Sequence, residues 1–265
     1  MKPGPVQVLP PPVHSGDTLQ HQQARPWRPA DLLDVWEQGR VQGPAPRALT
    51  LLASGFPGAD AETLADLPIG QRDALLLELR ERSFGPLAEC VAACPACRET
   101  VEFTVRLRDL HTAAPARAHG EIEWQGARLR VRPPTTRDQL AVAGLDDPQA
   151  IVRDLLRRCA AYVDEAPGTT PETLPPDAVD LVSAEIARLD PGADLRFTMA
   201  CPACHASWTS PFDAGSYLWQ EVDAAARSLL VEVHALASAH GWSEAAILGL
   251  SPARRRLYLE MTGTR

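Results

Sequence analysis

The chain has 265 residues, 45% apolar and 23% charged, and a net charge of −8. That length buries a core in one large domain or two modest ones, and the acidic balance counts against a broad nucleic-acid-binding surface. Lys2 is the single lysine, which removes the phosphate-cradling P-loop and Schiff-base chemistry, since each needs a lysine inside the fold.

Residues 1–26 are rich in Pro, Gln and His without periodicity and read as a disordered Pro-rich arm. No secretory h-region is present, and apolar runs such as ALLLEL at 74–79 are too short to span a bilayer, so a cytoplasmic protein with no membrane partner is expected. Residues 27–86 form an N-terminal helical segment. Pro29 suits a first helical turn and Gly39 a stop. PAPRALTLLASG gives a second helix, AETLADL follows, and IGQRDALLLELRERSFG is a long helix with Leu75, Leu76, Leu79 and Phe84 near one face and Gly85 behind it.

The pattern changes at Leu87. Val101, Phe103 and Val105 recur at period two behind Cys94-Pro-Ala-Cys97, so residues 87–110 are expected to form a strand–turn–strand hairpin. An inserted subdomain at 111–193 carries a second hairpin turning at Gln125-Gly126, helices at 135–144 and 148–162, a mobile loop at 163–178 and a helix at 178–189. Residues 194–213 repeat the earlier arrangement around Cys201-Pro-Ala-Cys204. Residues 214–265 are helical. The longest helix carries Trp219, Val222, Ala226, Leu229, Val233, Leu236 and His240 at spacings of three and four, either as a core stripe or as a docking face for a partner helix. Ser243 and Ser251 are N-caps of two further helices, Trp242 can pack on Ile247, and the Arg254-Arg255-Arg256 triplet reads as a solvated helix face.

The two CPAC phrases carry the chemistry. A CxxC turn sets two thiolates on one side of a tight knuckle, and two facing knuckles give the four-sulfur tetrahedron that structural Zn²⁺ prefers. Residues 98–200 separate them, where a compact ribbon has roughly 15–20 residues. The expected fold is therefore α+β and mainly helical: a split zinc ribbon made of two CPAC β-hairpins, with an inserted subdomain and a long C-terminal helix. Cys94, Cys97, Cys201 and Cys204 are the candidate metal ligands. Four thiolates fill the coordination sphere, so the ion is expected to be structural, not catalytic. Two redox CxxC pairs are the competing reading, but a thioredoxin-like dithiol opens a helix and these phrases lie between strands. Cys90 and Cys159 read as small buried apolar residues and His205 as a solvated histidine. His119-Gly120-Glu121 with a later CxxC fits the zinc-deaminase pattern poorly, because no proline precedes Cys201 and the spacing is too long. HExxH, GxSxG and GxGxxG are absent, and no acid–base couple can be nominated.

LPIGQRDALLLELRERSFGP, CPACRETVEF, LRFTMACPACHASWTSPFDAGSYLWQEVD and EVHALASAHGWSEAAILGLSPARRRLYLEM together resemble the T-even-phage-type baseplate hub assembly chaperone family. The likeness is to the cysteine-bearing form found in contractile-tail phages and contractile injection systems. It covers about residues 28–262 and is most specific at 68–106 and 195–261. The resemblance implies a non-enzymatic assembly factor or component of a contractile-tail baseplate, with hub, spike or wedge proteins as partners and no catalytic residues. A zinc-ribbon adaptor for nucleic acid or transcription machinery is the alternative function.

Overall fold

The computed structural model describes residues 22–110, 117–164, 171 and 174–263. The chain is a mixed α and β protein with small sheets and one long helix near its C-terminus. Helices α1 (Pro29–Gly39), α2 (Pro44–Gly55), α3 (Ala61–Ala65) and α4 (Ile69–Phe84) come first. Prolines stand in the first turns of α1 and α2, where their missing N–H costs nothing, and the Asp60 carboxylate caps α3 by accepting from the Thr63 N–H. Strands β1 (Leu87–Ala93) and β2 (Thr100–Arg106) follow, then a 3-10 turn at Leu107–Leu110.

Strands β3 (Gly120–Trp124) and β4 (Ala127–Val131) turn at Gln125 and Gly126, both at positive φ (51° and 83°). That is the two-residue hairpin geometry in which a glycine relieves strain. Next come α5 (Thr136–Val142), α6 (Pro148–Cys159), β5 (Ala160–Tyr162), α7 (Pro176–Leu189), β6 (Arg196–Ala200), β7 (Ser207–Pro211), α8 (Ala214–His240), α9 (Glu244–Leu248) and α10 (Pro252–Met261). The sheets are β1–β2, β3–β4–β5 and β6–β7, all antiparallel.

The stripe on α8 is core: Val222, Ala226, Leu229, Val233 and Leu236 are buried against α1, α4, α9 and α10. Trp219 is half-buried, and His240 is exposed, stacking on Trp242. The main core joins Leu51, Leu52 and Phe56 of α2 and its end to Leu76 and Leu79 of α4 and Leu218 and Val222 of α8. The segment between the hairpins has its own core of Val131, Leu156, Ala160, Leu174, Val182 and Leu189. Its seam with α4 and the end of α3 is polar: the Gly70 N–H donates to Asp190 (2.8 Å), Arg72 donates to Gln139 (2.7 Å) and Arg137 to Asp66 (2.6 Å).

Four expectations are corrected. Residues 1–21 of the expected arm lie outside the described residues, but the arm does not extend to 26: Ala24 is buried, its N–H donating to Glu78, and the Arg25 N–H donates to Gly55. The helix expected to run to Tyr162 stops at Cys159, because Ala160–Tyr162 pairs with the free edge of β4. The mobile loop expected at 163–178 does not hold at its two ends. Leu174 sits in a core, α7 starts at Pro176 and Asp164 pairs with Arg128, while 165–170, 172 and 173 lie outside the described residues. The Arg triplet is not wholly solvated, since Arg255 is buried and donates to Glu232.

Beside the polar seam, Asp73 is 5% exposed. Burial pushes its carboxyl up to about 6, with Asp213 and Asp190 adding to the rise, although the Arg72 guanidinium 2.7 Å away pulls it down. An acid whose folded pKa is raised destabilises the fold as it ionises. This contribution is absent below an unfolded value near ~3.9 and grows as pH rises through about 6. Asp73→Asn keeps an oxygen for Arg72 and does not titrate. Urea unfolding of both proteins between pH 4 and pH 7 should therefore show the variant gaining on the wild type by on the order of 2–3 kcal/mol. A constant difference across that range would reject the assignment.

Candidate metal centre

Each CPAC phrase closes a hairpin. In the first, β1 and β2 run in register from Leu87 opposite Arg106 to Ala93 opposite Thr100. The chain then turns through a knuckle in which the Cys94 N–H donates to Glu99 O (2.8 Å) and the Arg98 N–H to Cys94 O (2.8 Å). The second knuckle repeats this between β6 and β7: the Cys201 N–H donates to Ala206 O (2.9 Å) and the His205 N–H to Cys201 O (3.0 Å). The residue after the second cysteine is left-handed in both, with φ 64° at Arg98 and 59° at His205.

An aromatic ladder holds the two hairpins face to face. Phe103 of β2 meets Phe197 of β6 edge-on at 5.6 Å, Phe197 meets Phe212 at 5.1 Å, and Phe212 meets Tyr217 of α8 at 5.3 Å. Tyr217 in turn donates to the Glu89 carbonyl on β1 (3.0 Å). The period-two alternation marks Phe103 and Phe197 as strand residues; that they meet each other is information only the tertiary fold holds.

The ladder brings all four predicted cysteines together. Their sulfurs lie within 4.8 Å of one another, with Cys94 Sγ 3.7 Å from Cys204 Sγ and Cys97 Sγ 3.6 Å from Cys201 Sγ. Four sulfurs each about 2.3 Å from one Zn²⁺ at tetrahedral angles are about 3.8 Å apart, so the donor set fits that ion in number, type and spacing. Cys94 and Cys201 are buried, and Cys97 and Cys204 are exposed. Backbone N–H groups of Cys97 and Ala96, aided by the neighbouring thiols, hold the Cys94 thiol down to about 7. Cys97 is pushed up to about 12: the Glu99 N–H pulls it down, but the Cys204, Cys201 and Cys94 sulfurs outweigh that. The first thiolate thus forms readily and the next against its neighbours, which is the condition that a divalent cation relieves.

The remaining thiols stand apart from this cluster. Cys159 is 1% exposed, and burial pushes its thiol up to about 12. Cys90 is buried in β1. Among the described residues the metal-ligand cluster contains neither His119 nor Glu121, and Glu121 pairs with Arg128 and Arg130.

Arg98 and His205 were not singled out for their backbone, although their position directly after CxxC is the signal. A left-handed non-glycine residue costs about 1–2 kcal/mol, partly offset in a glycine variant by its freer unfolded chain. Arg98→Gly with His205→Gly should therefore raise the melting temperature by a few degrees at unchanged metal content. Arg98→Val should lower it, because a branched Cβ fits this region worst. Calorimetric melting of the three proteins checks both directions.

A family model described as T4 bacteriophage base plate protein matches residues 48–213. The match takes in both knuckles and everything between them. No curated protein and no solved structure matches the chain.

Proposed function

The chain belongs to the T4 bacteriophage base plate protein family, and from that premise we propose that it is a non-enzymatic assembly factor or structural component of the baseplate of a contractile phage tail or a phage-derived injection system. The family match over more than half of the chain is the observation that carries this reading. Cys94, Cys97, Cys201 and Cys204 would hold one structural Zn²⁺. Once bound, the ion would supply a cross-link and no reaction, because four thiolates leave no open position for water or substrate.

The split ribbon explains why such a protein needs a metal. Two hairpins far apart in sequence must be held together by a small aromatic contact, and a two-stranded hairpin is marginal by itself. Closing the long excursion between them costs entropy, which a metal clamp offsets. Partners are then other baseplate proteins, with hub, spike and wedge proteins as the specific candidates. Among the described residues no helix is long and apolar enough to cross a membrane, in keeping with assembly in the cytoplasm and incorporation into a particle.

The test is purification of the tagged full-length chain from cells producing the tail, alongside mass spectrometry of finished particles. Hub, spike or wedge proteins on the tag support the baseplate reading. Presence of the chain at fixed copy number in finished particles makes it a component; its presence only on precursors makes it an assembly factor. Polymerase subunits or nucleic acid without tail proteins would replace the reading with a zinc-ribbon adaptor.

A further inference from the structure

We propose that the four-cysteine cluster is also an oxidative modification site, able to replace its metal with two disulfides that both cross between the hairpins, Cys94–Cys204 and Cys97–Cys201. The observation is the pairing of the short contacts. Cys94 Sγ lies 3.7 Å from Cys204 Sγ, and Cys97 Sγ lies 3.6 Å from Cys201 Sγ. The two contacts share no cysteine, so both bridges can form at once. Each pair must close by roughly 1.6 Å to reach the ~2.05 Å of a disulfide. Each pair also joins one buried and one exposed cysteine, so each presents one sulfur to a soluble oxidant.

The oxidant is a peroxide. One thiol of each pair, once deprotonated, attacks a peroxide oxygen and becomes a sulfenic acid, and the O–O bond breaks to expel hydroxide, which takes up a proton and leaves as water. The second thiolate then attacks that sulfur and expels hydroxide, which leaves as water after taking up a proton. Each bridge consumes one peroxide and gives up two electrons. An ion held by the four thiolates would be released as the bridges form, because disulfide sulfurs carry no negative charge to bind it.

The choice of partner decides whether the closure survives. A bridge inside one knuckle, Cys94–Cys97 or Cys201–Cys204, closes a trivial loop and lets the hairpins part. A cross-hairpin bridge encloses residues 95–203 or 98–200 and constrains the unfolded chain strongly. The cluster would then keep the excursion closed in a reducing cytosol as a metal site and outside the cell as a covalent one. That use rests on the proposed role in an extracellular particle; the chemistry does not.

The experiment uses the full chain with Cys90→Ala, stripped of metal by a chelator, treated with hydrogen peroxide, alkylated and digested with trypsin without reduction. Cleavage after arginine leaves Cys94 and Cys97 on the peptide 83–98, and Cys201 and Cys204 on the peptide 197–227. The expected product is these two peptides joined, and fragmentation should place the bonds at Cys94–Cys204 and Cys97–Cys201. Separate peptides each carrying an internal disulfide would overturn the proposal, as would a random mixture. A paired comparison guards against misfolding as the cause. Cys94→Ser with Cys204→Ser retains the Cys97–Cys201 contact at 3.6 Å and should cross-link at least tenfold faster than Cys94→Ser with Cys201→Ser, which retains Cys97 and Cys204, a pair that is neither of the two proposed bridges. Equal rates would also overturn it. Neither result depends on whether the protein is part of a baseplate.

Discussion

Changing Cys201 to serine should abolish zinc binding at the proposed site and cost the protein more than about 5 kcal/mol. The estimate follows from the size of the two quantities involved. Structural zinc sites bind with roughly 10–16 kcal/mol of apparent free energy near pH 7, whereas a whole domain is stable by only about 5–15 kcal/mol. Cys201 is buried and meets Cys97 across the hairpins, so a serine there leaves the donor set short and the remaining thiolates unneutralised. The damage should be uneven. The main core of α2, α4 and α8 does not include the knuckles, so far-UV circular dichroism should retain most of its helical signal. Proteolysis should open the hairpins first. Cys159→Ser, at a buried position at the end of α6, should keep full metal content. Elemental analysis and a melting curve check this together: a Cys201→Ser protein that holds one zinc per chain and melts like the wild type would refute the clamp.

Arg80→Met should cost about 3 kcal/mol or more. The Arg80 side chain is 4% exposed. Its Nε and Nη2 grip both carboxylate oxygens of Glu221 on α8, while Nη1 donates to the carbonyls of Gly85 and Leu87, each at 2.7 Å. One guanidinium thereby ties α4, α8 and the start of β1 together, and it covers part of the open edge of a two-stranded sheet. Methionine fills similar space but strands a partly buried carboxylate and two carbonyls, and breaking such a pair from one side costs about 3–5 kcal/mol. Arg80→Met combined with Glu221→Gln should recover part of the loss, because the stranded charge is gone. Urea unfolding of the full cycle measures the coupling; strictly additive losses would show that the pair is not the cause.

Elements whose signal is local were readable from the chain. The knuckles are spaced by covalent geometry, the caps at Ser243 and Ser251 accept the N–H groups at their own helix starts, and the Gln125-Gly126 turn lies between two alternating runs. What was not readable depends on a distant partner. Ala160-Ala161-Tyr162 continues a helical pattern and becomes a strand only because β4 offers an edge. Arg80 lies in the run Arg80-Glu81-Arg82, which has the composition of a solvated surface, and nothing local says that Glu221 waits for the first arginine and not the second. Arg255 misleads in the same way, since a charge triplet says nothing about which member Glu232 will take. The separation of 98–200 identified a long excursion but not its docking onto the end of α3 and onto α4 through Asp66, Gly70 and Arg72.

The reliance of the main core on α8 sets the timetable by which the chain can fold. Leu218, Val222, Ala226 and Leu229 complete the apolar surfaces of α1, α2 and α4, yet they are synthesised more than a hundred residues later. Until then the early helices expose leucines on the ribosome, and Cys94 and Cys97 form half of a site. Contacts of such long sequence separation form slowly, and the exposed intermediate is prone to aggregate. Heterologous production should therefore be limited by solubility during synthesis more than by the stability of the finished protein, and slow induction with zinc present should raise the yield.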